Sequence, residues 1–445
     1  MDKGVLIFTG IVMIFLTMLY LHRYKWEYLS HFTITTGVCF LVSVFAPMVW
    51  IVEGRTHYRG LEVMEYTVQA TLYFLIGYIV YFVIVYQGNS KKRLRNTFSK
   101  KEKIECDVDI RIAWIAYIFF FILYNLYLTM RGRSLISQLT LGQMGDYSKD
   151  IMSSISTSYW FLMVSLNAMV TLSIVIVYVQ EKYKFIAYMV YIATFLLTIS
   201  AGYRHLMLDM LIAPIIMNSL TTKRRISGKT VIFLLVVAYL IVSWIGAMRG
   251  VYRLGQGELE AYESESAFDA FMINIEVFFP YFAYTNYIPK YGRFSLGGTY
   301  IAGIFQLIPS ILWPGKERAL SLIRNDSGYI LMLAAFEGEG IADPYWSEGY
   351  RNFGILGIII CMAILAICSR KIRELQFSNK ISDLLLYAIS VPFMFQVLTR
   401  NFQNALQDGL FLILPILIIR KFIFSLERSR RHYEENSNMK RREKL

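Results

Sequence analysis

Ser347-Glu348-Gly349-Tyr350-Arg351-Asn352-Phe353-Gly354-Ile355-Leu356-Gly357 runs directly into Ile358-Ile359-Ile360-Cys361-Met362-Ala363-Ile364-Leu365-Ala366-Ile367-Cys368 and closes on Ser369-Arg370-Lys371. Two kinds of sequence meet inside this stretch. The first part carries a carboxylate, a guanidinium, an amide and three glycines, whereas the second carries no charge at all. A helix rises 1.5 Å per residue, so roughly 20 apolar residues cross the ~30 Å hydrocarbon layer of a bilayer. Residues 349–369 therefore read as a membrane span with a polar segment at its mouth.

Working outward, the same apolar pattern recurs at 4–21, 29–51, 67–87, 112–130, 157–180, 185–202, 205–220, 230–248, 381–398 and 403–423. About eleven transmembrane helices are expected, in an all-α polytopic membrane protein. The composition agrees: 56% of the residues are hydrophobic and 17% are charged, against about 25% charged in a soluble globular protein. The first span has weak flanks and no small-residue cleavage pattern after it, so it reads as a retained anchor. The chain divides into eight spans over 1–248 with a charged loop at 88–111, a large polar loop at 249–348, three spans over 349–423, and a basic tail at 424–445. Four cysteines, Cys39, Cys106, Cys361 and Cys368, all lie outside that polar loop, and no disulfide framework or zinc spacing is present.

The net charge of +13 is distributed unevenly. Arg23, Lys91-Lys92-Arg93, Lys182, Lys184, Lys223-Arg224-Arg225, Arg370-Lys371 and the tail place most of the excess in alternate loops. This is a positive-inside pattern, not a nucleic-acid footprint. It predicts an outside N-terminus, an inside C-terminus, and a polar loop 249–348 on the outer face.

Candidate functional residues gather at that predicted outer face. Ser200-Ala201-Gly202-Tyr203-Arg204-His205 stands between two spans, and Asp209 follows. Ionisable groups there are costly unless they meet a cavity or a partner. Arg204 offers a bidentate fork to a phosphate, and His205 titrates near neutral pH; the alternative is that Arg204 and Asp209 satisfy each other. Arg249 and Arg253, four apart, share one helix face and form a plausible diphosphate clamp. Arg131-Gly132-Arg133 begins a second outer loop that reads either as phosphate contact or as flexible connection. Phe278-Phe279-Pro280-Tyr281-Phe282-Ala283-Tyr284 forms an aromatic ledge suited to sugar faces or to the membrane interface. Arg293 leads into Gly297-Gly298-Thr299-Tyr300 and an apolar piece at 301–312, which is too short to span and suits an interfacial or re-entrant helix ending near Lys316. Glu337, Glu339, Asp343 and Glu348 supply carboxylates able to take a proton from a hydroxyl.

Together, Ser-Ala-Gly-Tyr-Arg-His at 200–205, the large polar loop, Gly297-Gly298-Thr299-Tyr300 with Pro309 and Trp313-Pro314, and Glu348 followed by Asn352-Phe353-Gly354 give a chain that resembles the O-antigen polymerases of the Wzy type. The resemblance implies a glycosyltransferase that needs no metal or cofactor. It would act at the outer face of the bacterial cytoplasmic membrane, moving a growing glycan from undecaprenyl diphosphate onto the next lipid-linked repeat unit. A chain-length regulator and a flippase are the implied partners, alongside the bilayer itself. On this reading Glu348, His205 and Asp343 are the catalytic candidates. Arg204, Arg249, Arg253, Arg293, Arg351, Arg400, Tyr203 and Lys316 are the candidates for diphosphate and substrate binding. A lipid-linked glycan ligase and a flippase or transporter are the rival readings; no repeat between halves of the chain supports the transporter.

Overall fold

The computed structural model describes residues 2–24, 27–58, 61–87, 104–141, 160–224, 226–237, 239–240, 243, 278–324 and 343–420. Among them nine helices are long and apolar enough to cross a membrane. These are α1 (Asp2–Arg23), α2 (His31–Val52), α3 (Thr67–Tyr86), α4 (Ile110–Met130), α6 (Trp160–Val179), α8 (Arg204–Thr222), α13 (Tyr345–Arg373), α14 (Ile381–Thr399) and α15 (Phe402–Arg420). Two shorter apolar helices, α7 (Lys184–Ser200) and α9 (Gly228–Val237), overlap the expected runs 185–202 and 230–248. The chain is an all-α polytopic membrane protein. Extended pairing among the described residues is limited to a minimal antiparallel pair, β1 (His57–Tyr58) with β2 (Leu61–Glu62), and an isolated parallel bridge between Glu105 and Lys380.

Smaller helices complete the fold: α5 (Leu135–Leu141), α10 (Phe279–Tyr291), α11 (Gly298–Phe305) and α12 (Lys316–Arg324). Much of the expected large loop, including Arg249, Arg253, Glu337 and Glu339, lies outside the described residues.

Side-chain volume divides the interior into two packed cores. One joins α1, α2, α3, α10 and α13 around Trp50, Phe74, Tyr78, Tyr281 and Trp346. The other joins α4, α6, α7, α8, α14 and α15 around Leu166, Met169, Met210, Leu385 and Leu412. Helix α14 belongs to both, because Met394 and Leu398 face the first core while most of its buried residues face the second. His31 of α2 and Ser390 of α14 hydrogen-bond across the seam at 2.9 Å. Outward stripes such as Ile7, Phe8, Ile11, Ile14 and Phe15 on α1 remain exposed, as a helix face solvated by lipid requires.

At one end of the bundle, polar ties fix the helices. Arg373 pairs with Glu27 at 2.9 Å and lies over the Tyr24 ring at 3.7 Å. Asp107 accepts from the backbone and the hydroxyl of Ser382, and Arg420 pairs with Asp383 at 2.6 Å.

The feature that positions the candidate site is a break inside α13. Phe353 has φ −139° and ψ 20°, and Gly354 has φ 62° and ψ −144°. The second conformation is accessible essentially to glycine alone. A Cβ placed on Gly357 would sit 1.8 Å from the Gly349 carbonyl oxygen, and one on Gly349 would sit 2.8 Å from the Gly357 carbonyl oxygen. In an unbroken helix residues eight apart are about 12 Å apart along the axis. The chain therefore reverses at 353–354, and the arm 345–352 folds back onto the start of the span, where two glycines let backbones touch. The expected continuous span 349–369 is thus interrupted near its beginning.

Candidate functional site

The folded-back arm buries Glu348, which is 3% exposed. Its Oε2 accepts the backbone N–H of Phe402 at 2.6 Å. Phe402 is the first residue of α15, capped by Asn401, whose Oδ1 accepts from Asn404 N at 3.0 Å. The carboxylate thus sits at a helix N-terminus, where unpaired amides and the helix dipole favour negative charge.

Asn352 is the organiser of this corner. Its Nδ2 donates to Glu348 O at 2.8 Å and to Thr299 Oγ1 at 2.7 Å, and its Oδ1 accepts from Gly297 N at 2.9 Å. Because Thr299 Oγ1 accepts from Asn352, its own hydrogen is free to turn to the neighbouring Glu348 carboxylate. The arm's last carbonyls, those of Arg351 and Asn352, accept from Ser295 N and Leu296 N at 3.0 and 3.1 Å. Segment 295–299 and the arm therefore form one unit. Sequence reading quoted Asn352 within a motif without giving it a role; its signal was an amide one helical turn after Glu348 and just before the glycine break.

Asp343 precedes the arm and is 5% exposed. Its Oδ1 is buried with no hydrogen-bond partner among the described residues, as are Trp346 Nε1 and Ser295 Oγ. Each such atom costs about 1–3 kcal/mol if left unmatched, so a concentration of them marks a place where a ligand or solvent completes the bonding. Burial, and next the neighbouring Glu348 carboxylate, push Asp343 up to about 7, against smaller opposing effects of Ser347 and Arg351. Two carboxyls with different environments share the site, the arrangement from which acid and base roles are drawn.

Arg351 is half-buried, lies 5.8 Å over the Tyr284 ring and exerts its charge on both Asp343 and Glu348. Arg293 is exposed at the start of the 295–299 segment. Lys316 is buried, its Nζ donating to the carbonyls of Ile308 at 2.7 Å and Gln306 at 3.3 Å, so in this structure it closes the loop after α11. The aromatic ledge is corrected by the structure. Phe278, Tyr281 and Phe282 are each 1% exposed, packed edge-on against Trp50 and Tyr350, and the Tyr281 hydroxyl donates to Ala70 O at 2.6 Å. These rings are core, because α10 is wedged between α3 and α13, leaving them no open face for a sugar.

A second polar group lies on the other side of the corner between α14 and α15. Arg400, half-exposed, faces Asp408 at 3.8 Å. Asp408 Oδ1 accepts from Asn167 Nδ2 at 2.9 Å and Oδ2 accepts from Gln396 Nε2. Tyr203 and His205 lie at the head of α8 with ring centroids 5.8 Å apart, and His205 is 8% exposed. Asp209 is fully buried, and neither of its carboxylate oxygens has a hydrogen-bond partner among the described residues. The expected pairing of Asp209 with Arg204 involves a side chain, that of Arg204, outside the described residues. The structure thus brings together Glu348, Asp343 and Arg351 around one side of residues 399–402, and Arg400 with the head of α8 on the other.

Among the described residues no three His, Cys, Asp or Glu side chains converge as metal ligands would. Against protein families, the model for O-antigen polysaccharide polymerase Wzy matches residues 3–427. The chain belongs to the Wzy family of O-antigen polymerases. Comparison with curated proteins and with solved structures returned no match. Membership of the Wzy family makes the chain a glycosyltransferase-type polymerase of O-antigen repeat units, whose substrates are lipid-linked oligosaccharides in a membrane. The match runs from α1 to beyond α15, so both polar groups around the corner fall within it.

Proposed function

We propose that this Wzy-family polymerase transfers the growing glycan from undecaprenyl diphosphate to the acceptor hydroxyl of the next lipid-linked unit, at the outer face of the bacterial cytoplasmic membrane, without a metal ion. The observation that carries the reading is the buried Glu348–Asp343 pair beside Arg351, with Glu348 anchored by the Phe402 amide. Glu348 takes the proton of the acceptor hydroxyl as the new glycosidic C–O bond forms, and Asp343 is the adjoining carboxyl through which that proton leaves. The anomeric carbon–oxygen bond to the diphosphate breaks, and its electron pair departs with the phosphate. Fixed guanidinium groups stabilise that developing charge best in a dry site. Arg351 and Arg400 are assigned to it, with Arg204, Arg249, Arg253 and Arg293 as further phosphate contacts and His205 with Tyr203 beside them. The positive-inside charge pattern supports the outer face.

The test is reconstitution. Purified protein in liposomes with lipid-linked repeat units is expected to give a ladder of longer glycans under excess chelator. Units that cross the bilayer unextended would instead mark a flippase, and transfer only to a different acceptor would mark a ligase.

A further inference from the structure

The polar group between α6, α8, α14 and α15 has an imbalance that the transfer reaction does not use. Asn167 and Gln396 donate to the two oxygens of Asp408, and among the described residues Arg400 supplies the positive charge beside it. Asp209 is the adjoining carboxyl, close enough for the Asp408 charge to act on it, and it is 0% exposed with both oxygens unpartnered. Independently, Gln396 is 1% exposed, its amide nitrogen is turned into the cluster, and its Oε1 is a buried acceptor without a donor. Among the described residues two carboxyls and one guanidinium leave one negative charge uncompensated in a buried place, where an ionised carboxylate without a partner is strongly disfavoured by desolvation. The further titratable and charged neighbours among the described residues are Tyr203 and His205 at the head of α8, with Tyr124, Tyr127 and Arg131 gathered around Tyr203.

We propose that Asp209 holds a resident proton, making the Asp209–Asp408–Gln396–Arg400 group a one-proton site in the interior of the helix bundle. The neutral carboxyl supplies a hydroxyl donor to a group in which Gln396 Oε1 is an unpartnered acceptor, and the net charge of the group becomes zero. One consequence rests on the assignment of Arg400 to the diphosphate: a neutral Asp209 keeps a second negative charge away from the guanidinium that must attract an anion. The alternative occupant is a sodium ion, which takes oxygen ligands from the same side chains.

The experiment is infrared spectroscopy in nanodiscs at neutral pH of the full-length protein carrying Asp343→Asn, which removes the carboxyl already held at about 7, reading the carbonyl stretch of protonated carboxyl groups, with and without saturating sodium. The expected result is a protonated-carboxyl band that is unchanged by sodium, lost in Asp209→Asn and shifted in frequency in Asp209→Glu. The amide of Asp209→Asn matches a neutral acid in shape, so this variant is expected to fold. Should it not, the Asp209→Glu spectrum decides, because an unshifted band there overturns the proposal. Persistence of the whole band in Asp209→Asn, or its removal by sodium, overturns it equally. The readout is independent of polymerase activity, so failure here leaves the proposed transfer reaction standing.

Discussion

The backbone amide of Phe402 donates to the Glu348 carboxylate at 2.6 Å, joining the first residue of α15 to the folded-back arm of α13. This bond places the candidate base by the main chain of another span. A proline at the first helical position fits helix geometry but has no N–H to give. Phe402→Pro is therefore expected to keep the helix and lower turnover roughly tenfold or more, consistent with loss of one charge-assisted hydrogen bond of about 1.5–3 kcal/mol. Phe402→Leu, which keeps the amide while removing the ring that packs on Tyr300, is the control. Equal turnover in the two would remove the amide from the mechanism. Steady-state glycan-ladder assays measure both.

Glu348→Gln keeps an oxygen for the Phe402 amide and removes the basicity. Elongation is expected to fall about 10²–10⁴-fold, the usual range for a positioned general base, with the thermal unfolding midpoint close to that of the parent protein. Ladders of normal length from this variant would exclude Glu348 as base.

Asp343 provides a pH signature. Its carboxyl lies at about 7 in the folded protein, pushed up by burial and by Glu348, against about 3.9 in an unfolded chain. Between those values the folded state keeps a proton that the unfolded chain has released. The stability contributed by Asp343 is thus full below the lower value, falls as pH rises, and levels off above about 7. Asp343→Asn is expected to remove that slope, which unfolding midpoints measured from pH 4 to 8 would show. If ionised Asp343 receives the acceptor proton, turnover rises through the same upper value, and the rise is absent in the variant.

The reversal in α13 makes a sharp steric demand. Gly357→Ala would drive a methyl into the Gly349 carbonyl oxygen, with no flexible side chain to move aside. Gly354→Ala meets a positive φ of 62°, at a cost of about 1–3 kcal/mol. Both are expected to lower the unfolding midpoint and abolish elongation. Gly37→Ala, where a Cβ meets nothing within 4 Å, is expected to be silent in the same assays.

Asn352 carries a prediction of a different kind. It contacts Glu348 through the backbone carbonyl and Thr299 through the hydroxyl, so it acts as a positioning residue. Asn352→Asp replaces the amide donor with an acceptor and adds a negative charge. Turnover is expected to drop by one to two orders of magnitude while the half-saturating concentration of the lipid-linked donor changes little. A large rise in that concentration with unchanged turnover would place Asn352 in substrate binding instead.

The helix content, the positions of the spans and the family were legible because each rests on local composition: apolar runs of span length, glycine and aromatic motifs beside them, and carboxylates at a span mouth. The break in α13 was not legible, since Phe353-Gly354 sits in a sequence that continues into an apolar run without interruption, and only the contact between Gly349 and Gly357 reveals the turn. The second polar group was hidden for another reason. Asn167 and Asp408 are 241 residues apart and belong to different spans, so nothing local connects them. Arg400 and His205 were picked out by charge at helix ends, whereas Gln396, which has none, was passed over. The aromatic ledge was misjudged because ring composition is the same for a core wedge and for a sugar platform.

The corner at residues 399–402 has a mechanical meaning. Arg400 faces one polar group and the Phe402 amide faces the other, with a single residue between them. Four residues of chain therefore act as a common ruler for both: a tilt of α14 or α15 moves the guanidinium and the amide together. Donor phosphate and acceptor hydroxyl would then keep their spacing however long the attached glycan becomes.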